Sequence, residues 1–315
     1  MSAILLVISD WDAAPWERRF RAAAPGRDVS VWPDRIGDPD GIAYAATWRP
    51  PQGAFAPFRN LRAIFSLGAG VDAVLADRAL PNVPVVRVID PDLTRRMTEY
   101  VTLHVLMHHR RQRLYDAQQR ARVWHEHDQP RAAEVSVGLM GLGVLGRDAA
   151  EVLLRLGFRV AGWSRTAREI PGVETFHGAA GLDQFLARTE ILVCLLPHTP
   201  ATEAILDLAL LRKLKRDGAL GGAFLINAGR GRLQVDADIV AALDEGALAG
   251  ATLDVFPTEP LPAASPLWLH PKVTITPHNS AASVPEETVG YVVRQIERFE
   301  AGHPLDNVID RASGY

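Results

Sequence analysis

Val135-Ser136-Val137-Gly138-Leu139-Met140 runs without a break into Gly141-Leu142-Gly143-Val144-Leu145-Gly146, which opens the stretch Arg147 to Leu156. The apolar run predicts a buried strand and the stretch after the glycines a helix, so the glycines form a strand-to-helix turn. In such a turn Gly141 permits the tight reversal, Gly143 lets the backbone approach a pyrophosphate, and Gly146 lets helix and strand pack closely. Val144 and Leu145 fall at the helix N-terminus, whose N–H groups and dipole favour an anion. This context, more than the glycine spacing alone, points to a doubly wound dinucleotide-binding sheet.

The next strand, Arg159 to Trp163, ends in Ser164-Arg165-Thr166, about twenty residues beyond the glycines, where NAD-preferring sheets place Asp or Glu. The acid is missing. A carboxylate there bonds the ribose 2′-OH and repels a 2′-phosphate, whereas Arg165, with Ser164 and Arg168, offers donors to that phosphate. The expected cofactor is NADPH, with NADH weaker; the alternative is that Arg165 and Arg168 are solvated loop charges. Each charge-assisted bond to the phosphate contributes roughly 1.5–3 kcal/mol, a preference of about tenfold or more.

Outward from this turn, short apolar runs alternate with amphipathic helical stretches along the chain, the pattern of a parallel sheet covered by helices, and the class is α/β. Strands are expected at Ala3 to Ser9, Val29 to Trp32, Ile42 to Trp48, Ala63 to Leu67 and Val85 to Val88. A second series follows at Val135 to Met140, Phe158 to Trp163, Ile191 to Leu195, Ala223 to Asn227, Gly250 to Val255 and Val273 to Thr276. Six strands suit a nucleotide-binding sheet. Between the series, Pro91 to Val123 reads as one long helix spacing two domains, and a last helix spans about Pro285 to Ala301.

At 315 residues the chain can bury two cores. A net charge of −3 without a long Lys/Arg run argues against nucleic acid. The apolar start, Ala3 to Ile8, is too short for a leader or a membrane span, so a cytoplasmic protein with no membrane partner is expected. The sole cysteine, Cys194, excludes an intrachain disulfide and reads as a buried, inert thiol.

Three motifs close the second series: Asn227-Ala228-Gly229-Arg230-Gly231, Asp254-Val255-Phe256 leading to Glu259-Pro260-Leu261, and Thr276-Pro277-His278. All follow expected strand ends, where open α/β sheets bind ligands. Arg230, Glu259 and His278 are therefore the catalytic candidates: a cation, an acid and an imidazole beside the nicotinamide. Leu196, Pro197, Ala228 and Gly229 are assigned to the cofactor side, together with Thr166.

These motifs, with Leu67-Gly68-Ala69-Gly70-Val71-Asp72, Trp163-Ser164-Arg165-Thr166, Ser265-Pro266-Leu267-Trp268 and the ending Asp310-Arg311-Ala312-Ser313-Gly314-Tyr315, are specific. The chain resembles the D-2-hydroxyacid dehydrogenase family over essentially its whole length, above all the A-type glyoxylate/hydroxypyruvate reductases. The resemblance implies a Rossmann cofactor domain, about 99–280, inserted in a smaller flavodoxin-like substrate domain, about 1–98 and 281–315, with small 2-keto acids reduced in the interdomain cleft. It implies that Arg230 binds the keto acid, His278 is the acid/base and Glu259 holds the imidazole. Hydride transfer builds negative charge on the keto oxygen, which protonated His278 neutralises and Arg230 polarises.

Asp254 matches a position near the nicotinamide, to hold the carboxamide or tune His278, or else caps the next turn. Backbone amides around Gly68, Ala69 and Gly70 are expected to cradle the substrate carboxylate, with Trp48 as a wall. The resemblance also implies a homodimer in which Trp124, on an arm after the long helix, reaches the partner's active site. Asn279-Ser280 departs from the family, whose members usually carry an apolar residue and then Ala there, and puts substrate preference in doubt.

His125-Glu126-His127-Asp128 lacks a supporting cluster for a metal, and no metal is expected. His108 and His109, before Arg110 and Arg111, read as a solvated helix face, and Phe55, Phe58 and Phe65 as core. The competing readings are a phosphite-type dehydrogenase on the same scaffold and a non-enzymatic NAD(P)H-sensing scaffold. Formate enzymes of this type pair the histidine with glutamine, so Glu259 argues against that chemistry.

Overall fold

The computed structural model describes residues 2–311 and 314. Ala312, Ser313 and Tyr315 of the closing motif lie outside the described residues. The chain divides into two compact units: the segments Met1–Leu93 and Ala282–Tyr315 form the first, and Thr94–Ala281 forms the second.

In the first unit, β1 (Ala3–Ile8), β2 (Val29–Val31), β3 (Ile42–Trp48), β4 (Ala63–Ser66) and β5 (Val85–Arg87) make a parallel sheet in the order β2-β1-β3-β4-β5. That is the flavodoxin-like order. Successive side chains on a strand point to opposite faces, so Ile4 and Leu6 join one core and Leu5 and Val7 the other. On the first face, Trp16 and Phe20 of the helix Ala13–Ala23 meet Val289, Val292, Val293 and Ile296 of the helix Pro285–Glu300. Burying each of these aliphatic side chains stabilises by roughly 1.5–3 kcal/mol, which explains why the last helix returns to this sheet. Phe55, Phe58 and Phe65 are core, as expected.

The second unit holds seven parallel strands: β6 (Ser136–Met140), β7 (Arg159–Ser164), β8 (Glu174–His177), β9 (Ile191–Cys194), β10 (Phe224–Asn227), β11 (Gly250–Leu253) and β12 (Val273–Ile275). Their order is β12-β11-β10-β9-β6-β7-β8. Alternation again splits the core: Ile191 and Val193 face one helix layer, Leu192 and Cys194 the other. Cys194 is fully buried, and burial pushes its thiol up to about 12, too high to ionise at neutral pH.

Three expectations are corrected. The seventh strand, β8, carries Glu-Thr-Phe-His; it pairs only with β7 at the sheet edge and needs no apolar run. The long helix is two, Pro91–His109 and Gln112–Ala121, broken where Arg111 takes the left-handed φ of 54°. His108 and His109 are buried rather than solvated. His108 Nε2 lies 3.0 Å from the Thr252 hydroxyl on β11, and burial drives its pKa down to about 3, so the ring is neutral. The His109 ring packs edge-on to Phe158.

Candidate active site

The chain order turns back at β6, whose neighbours in the sheet are β7 on one side and β9 on the other. Ligands of open α/β sheets bind beyond the strand ends at such a switch point, and the glycine turn lies there. Gly141 has φ 110°, a conformation side chains disfavour, and its N–H donates to the Trp163 carbonyl on β7 at 2.9 Å. A Cβ on Gly146 would stand 1.9 Å from the Gly141 carbonyl oxygen, so only glycine lets the helix Val144–Arg155 start this close to its turn. Gly143 differs: its φ is −77°, and a Cβ there would meet nothing within 4 Å. Among the described residues neither packing nor backbone strain requires glycine at 143, which fits a backbone kept bare for a ligand.

Gly143 is the N-cap residue and makes no side-chain cap, leaving the first N–H groups of the helix, Val144 and Leu145 among them, aimed off its end. Across the switch point, Leu196 is buried and Pro197 accepts from the Thr202 hydroxyl at 2.8 Å. Gly229 packs so closely on this segment that a Cβ would lie 2.8 Å from the Leu196 carbonyl oxygen, with Ala228 buried beside it. Beyond β7, Ser164 is buried and its hydroxyl donates to the Thr166 carbonyl at 2.8 Å; Thr166, Arg165 and Arg168 are exposed. These residues fit a dinucleotide carrying a 2′-phosphate, with two guanidinium groups and no acid at the end of the second strand.

The loops after β10, β11 and β12 carry the other candidates. Buried Asn227 shapes the first: its Oδ1 accepts from Gly229 N at 3.1 Å, and its Nδ2 donates to Gln234 Oε1 at 2.7 Å and to the Arg230 carbonyl at 3.3 Å. Arg230 is half-buried, with Nη1 donating to the Gly229 carbonyl at 2.8 Å. A Cβ on the next residue, Gly231, would stand 1.9 Å from the Phe256 carbonyl carbon and oxygen, so the Arg230 loop lies against the backbone after β11. The Phe256 N–H donates to Glu259 Oε1 at 3.1 Å, and Glu259 Oε2 lies 2.8 Å from His278 Nδ1. The arginine loop and the acid–imidazole pair are thus joined by direct contacts.

A carboxylate only accepts, so the proton between Glu259 and His278 sits on Nδ1 and leaves Nε2 as the nitrogen that takes up or releases a proton. The pair is partly exposed, with 28% of the imidazole and 19% of the carboxylate side chain accessible. His278 itself has φ 52°. Asp254, fully buried, holds that loop: its carbonyl accepts from His278 N at 2.8 Å, its Oδ1 from Asn279 N at 3.0 Å and its Oδ2 from Ser280 N at 3.1 Å. Asn279 and Ser280, read from sequence as a departure beside the base, serve the fold through their backbone.

In the first unit, Trp48 ends β3 and stacks on Trp11 at 4.2 Å, which stacks on Trp16 at 5.5 Å. A Cβ on Gly68 would lie 2.2 Å from the Trp48 ring, so the glycine gives that indole its place. The Ser66 hydroxyl donates to the Gly68 and Gly70 carbonyls at 3.1 and 2.8 Å, shaping the Gly68-Ala69-Gly70 loop at the end of β4. Sequence reasoning missed Trp11, Asn227 and Gln234, which hold candidates without carrying chemistry; only Asn227, heading its motif, gave a local signal. Among the described residues no group of three or more His, Cys, Asp or Glu is placed to hold a metal ion, and no helix is long and apolar enough to cross a membrane.

A family model described as D-isomer specific 2-hydroxyacid dehydrogenase, NAD binding domain, matches residues 102–280. Glyoxylate/hydroxypyruvate reductase A of Escherichia fergusonii is 41% identical over 318 residues, covering 99% of each chain. The crystal structure of the NADPH-dependent glyoxylate/hydroxypyruvate reductase of Sinorhizobium meliloti, in complex with NADP and sulfate, is similar with a TM-score of 0.95 and 46% identity, covering 100% of both chains. A probable 2-hydroxyacid dehydrogenase of Rhizobium etli, in complex with NADP, HEPES and L(+)-tartaric acid, gives 0.94 and 47%, again covering 100% of both.

Proposed function

We propose that this chain, which belongs to the D-isomer specific 2-hydroxyacid dehydrogenase family, reduces small 2-keto acids such as glyoxylate and hydroxypyruvate to 2-hydroxy acids with NADPH. The observation that carries the reading is the Glu259–His278 pair, joined at 2.8 Å in a strained loop and linked through Phe256 and Gly231 to Arg230. When bound, NADPH supplies a hydride from its nicotinamide. The backbone of Gly143, Val144 and Leu145 would hold its pyrophosphate, in a turn that Gly141 and Gly146 make possible, and Arg165, Thr166 and Arg168 would hold its 2′-phosphate, with Ser164 ordering their loop through the Thr166 carbonyl. Leu196, Pro197, Ala228 and Gly229 would line its remaining length, with Asp254 behind the loop that faces it.

His278 gives its Nε2 proton to the keto oxygen as negative charge builds there, and Glu259 stabilises the imidazolium before transfer and orients the ring afterwards. Arg230 polarises and orients the keto acid through its guanidinium. In the first unit, Trp48 and the backbone of Gly68, Ala69 and Gly70 are assigned to the substrate. Loss of reduced-nicotinamide absorbance with a panel of 2-keto acids tests this. Wild-type turnover should fall by about 10²–10⁴ in His278→Ala; tight NADPH binding without turnover on any keto acid refutes it and favours a sensing scaffold.

We also infer a homodimer, in the cytoplasm. Trp124 follows the helix Gln112–Ala121 and is fully exposed, an aromatic surface suited to a second copy's active site. Trp124→Ala should weaken dimerisation in sedimentation and lower turnover; no change in either removes this role.

A further inference from the structure

His278 is a non-glycine residue in the left-handed region, so something must hold it there. The restraint is Asp254, which binds the backbone of residues 278 to 280 through its carbonyl and both carboxylate oxygens. Asp254 is itself restrained from one side: the Thr276 hydroxyl donates to Oδ1 at 2.6 Å. That hydroxyl has one proton, and a carboxylate can only accept, so the Tyr100 hydroxyl 2.7 Å away must be donor to Thr276 Oγ1. Tyr100 comes from the helix Pro91–His109, distant in sequence, and is buried with its ring 4.3 Å from His104. Burial raises the phenol's pKa and lowers that of His104, so the tyrosine keeps its proton and the imidazole beside it stays neutral.

We propose that Tyr100 and Thr276 are positioning residues for the reaction: their hydrogen-bond chain fixes the Asp254 carboxylate, which sets the backbone of residues 278–280 and so aims the His278 imidazole. Neither hydroxyl acts on substrate; both act through Asp254. The kinetic part of the inference rests on the reductase reading above, and the structural part does not. Tyr100→Phe removes the outer donor only. Thr276→Val removes the donor to Asp254 and strands the Tyr100 hydroxyl, while Thr276→Ser keeps the chain intact.

The test combines single-turnover oxidation of NADPH by glyoxylate with carbon chemical shifts of His278 in histidine-labelled protein. The turnover rate should fall about fivefold in Tyr100→Phe and tenfold or more in Thr276→Val, with KM for glyoxylate and NADPH affinity within about twofold. Thr276→Ser should stay within about threefold of wild type. The double variant should be no slower than Thr276→Val, because the two groups form one chain. The His278 shifts should move in Thr276→Val and stay put in Thr276→Ser. A wild type that oxidises no NADPH with any keto acid refutes the reductase reading and leaves the His278 shifts to decide this one. Unmoved shifts in Thr276→Val, equal losses in the Val and Ser variants, or losses that multiply in the double variant overturn the inference.

Discussion

Gly143→Ala separates folding from cofactor binding in the glycine turn. Among the described residues, its two chain neighbours aside, the new methyl would meet no atom within 4 Å, and the backbone at φ −77°, ψ −160° is extended, so neither a clash nor backbone strain opposes it. Losing a glycine's freedom in the unfolded chain favours the variant by about 0.4–1 kcal/mol. Alanine is a poorer N-cap than glycine, at a cost of roughly 0.5–1 kcal/mol, so the net change in stability should lie within about 0.5 kcal/mol of zero. The methyl would, however, stand between a pyrophosphate and the helix N-terminus. Loss of one charge-assisted bond there costs about 1.5–3 kcal/mol, a weakening of about ten- to a hundredfold. NADPH fluorescence titration reads the second effect and urea unfolding the first. An unchanged NADPH affinity, or a stability loss above about 1.5 kcal/mol, would refute the claim that Gly143 is kept for a ligand.

Gly231→Ala should behave oppositely, because its Cβ would lie 1.9 Å from Phe256 backbone atoms that cannot rotate away. A loss of about 1–3 kcal/mol in urea unfolding and of about a hundredfold in turnover is expected as the Arg230 and Glu259 loops are pushed apart. Arg165→Ala should lower kcat/KM for NADPH about tenfold and leave that for NADH nearly unchanged; equal losses with both cofactors would return Arg165 to a solvated loop charge. In the first unit, hydrogen bonds from Arg27 hold the Glu300 carboxyl at about 2. Because the folded-state value is depressed, its contribution is present above the ordinary 4.5 and disappears as pH falls through about 2. Glu300→Gln should therefore cost on the order of 1 kcal/mol at neutral pH, allowing for solvent screening, and nothing near pH 2. Guanidinium melts across that range check it, and a gap that persists at low pH contradicts the assignment.

By itself the sequence determined the α/β class, most strand positions, the last helix and the strand-to-helix turn at Gly141 to Gly146. These rest on short-range rules: which residues alternate along a strand, which spacing makes a helix face, and where a Cβ does not fit. It also marked Arg230, Glu259 and His278 individually, since each closes a local motif. Only the tertiary structure decided what those motifs do together. The parallel register of β10, β11 and β12 brings Gly231 against Phe256 and sets Glu259 2.8 Å from His278. The long helix breaks where Arg111 takes a left-handed φ, pairing with β7 makes an edge strand of Glu174–His177, and tertiary packing turns His108 and His109 inward against β11 and Phe158. That packing also puts Tyr100 within reach of Thr276, 176 positions along the chain. A side chain's burial and partner depend on residues far away in sequence, so a local pattern leaves them open until the sheet's register closes them.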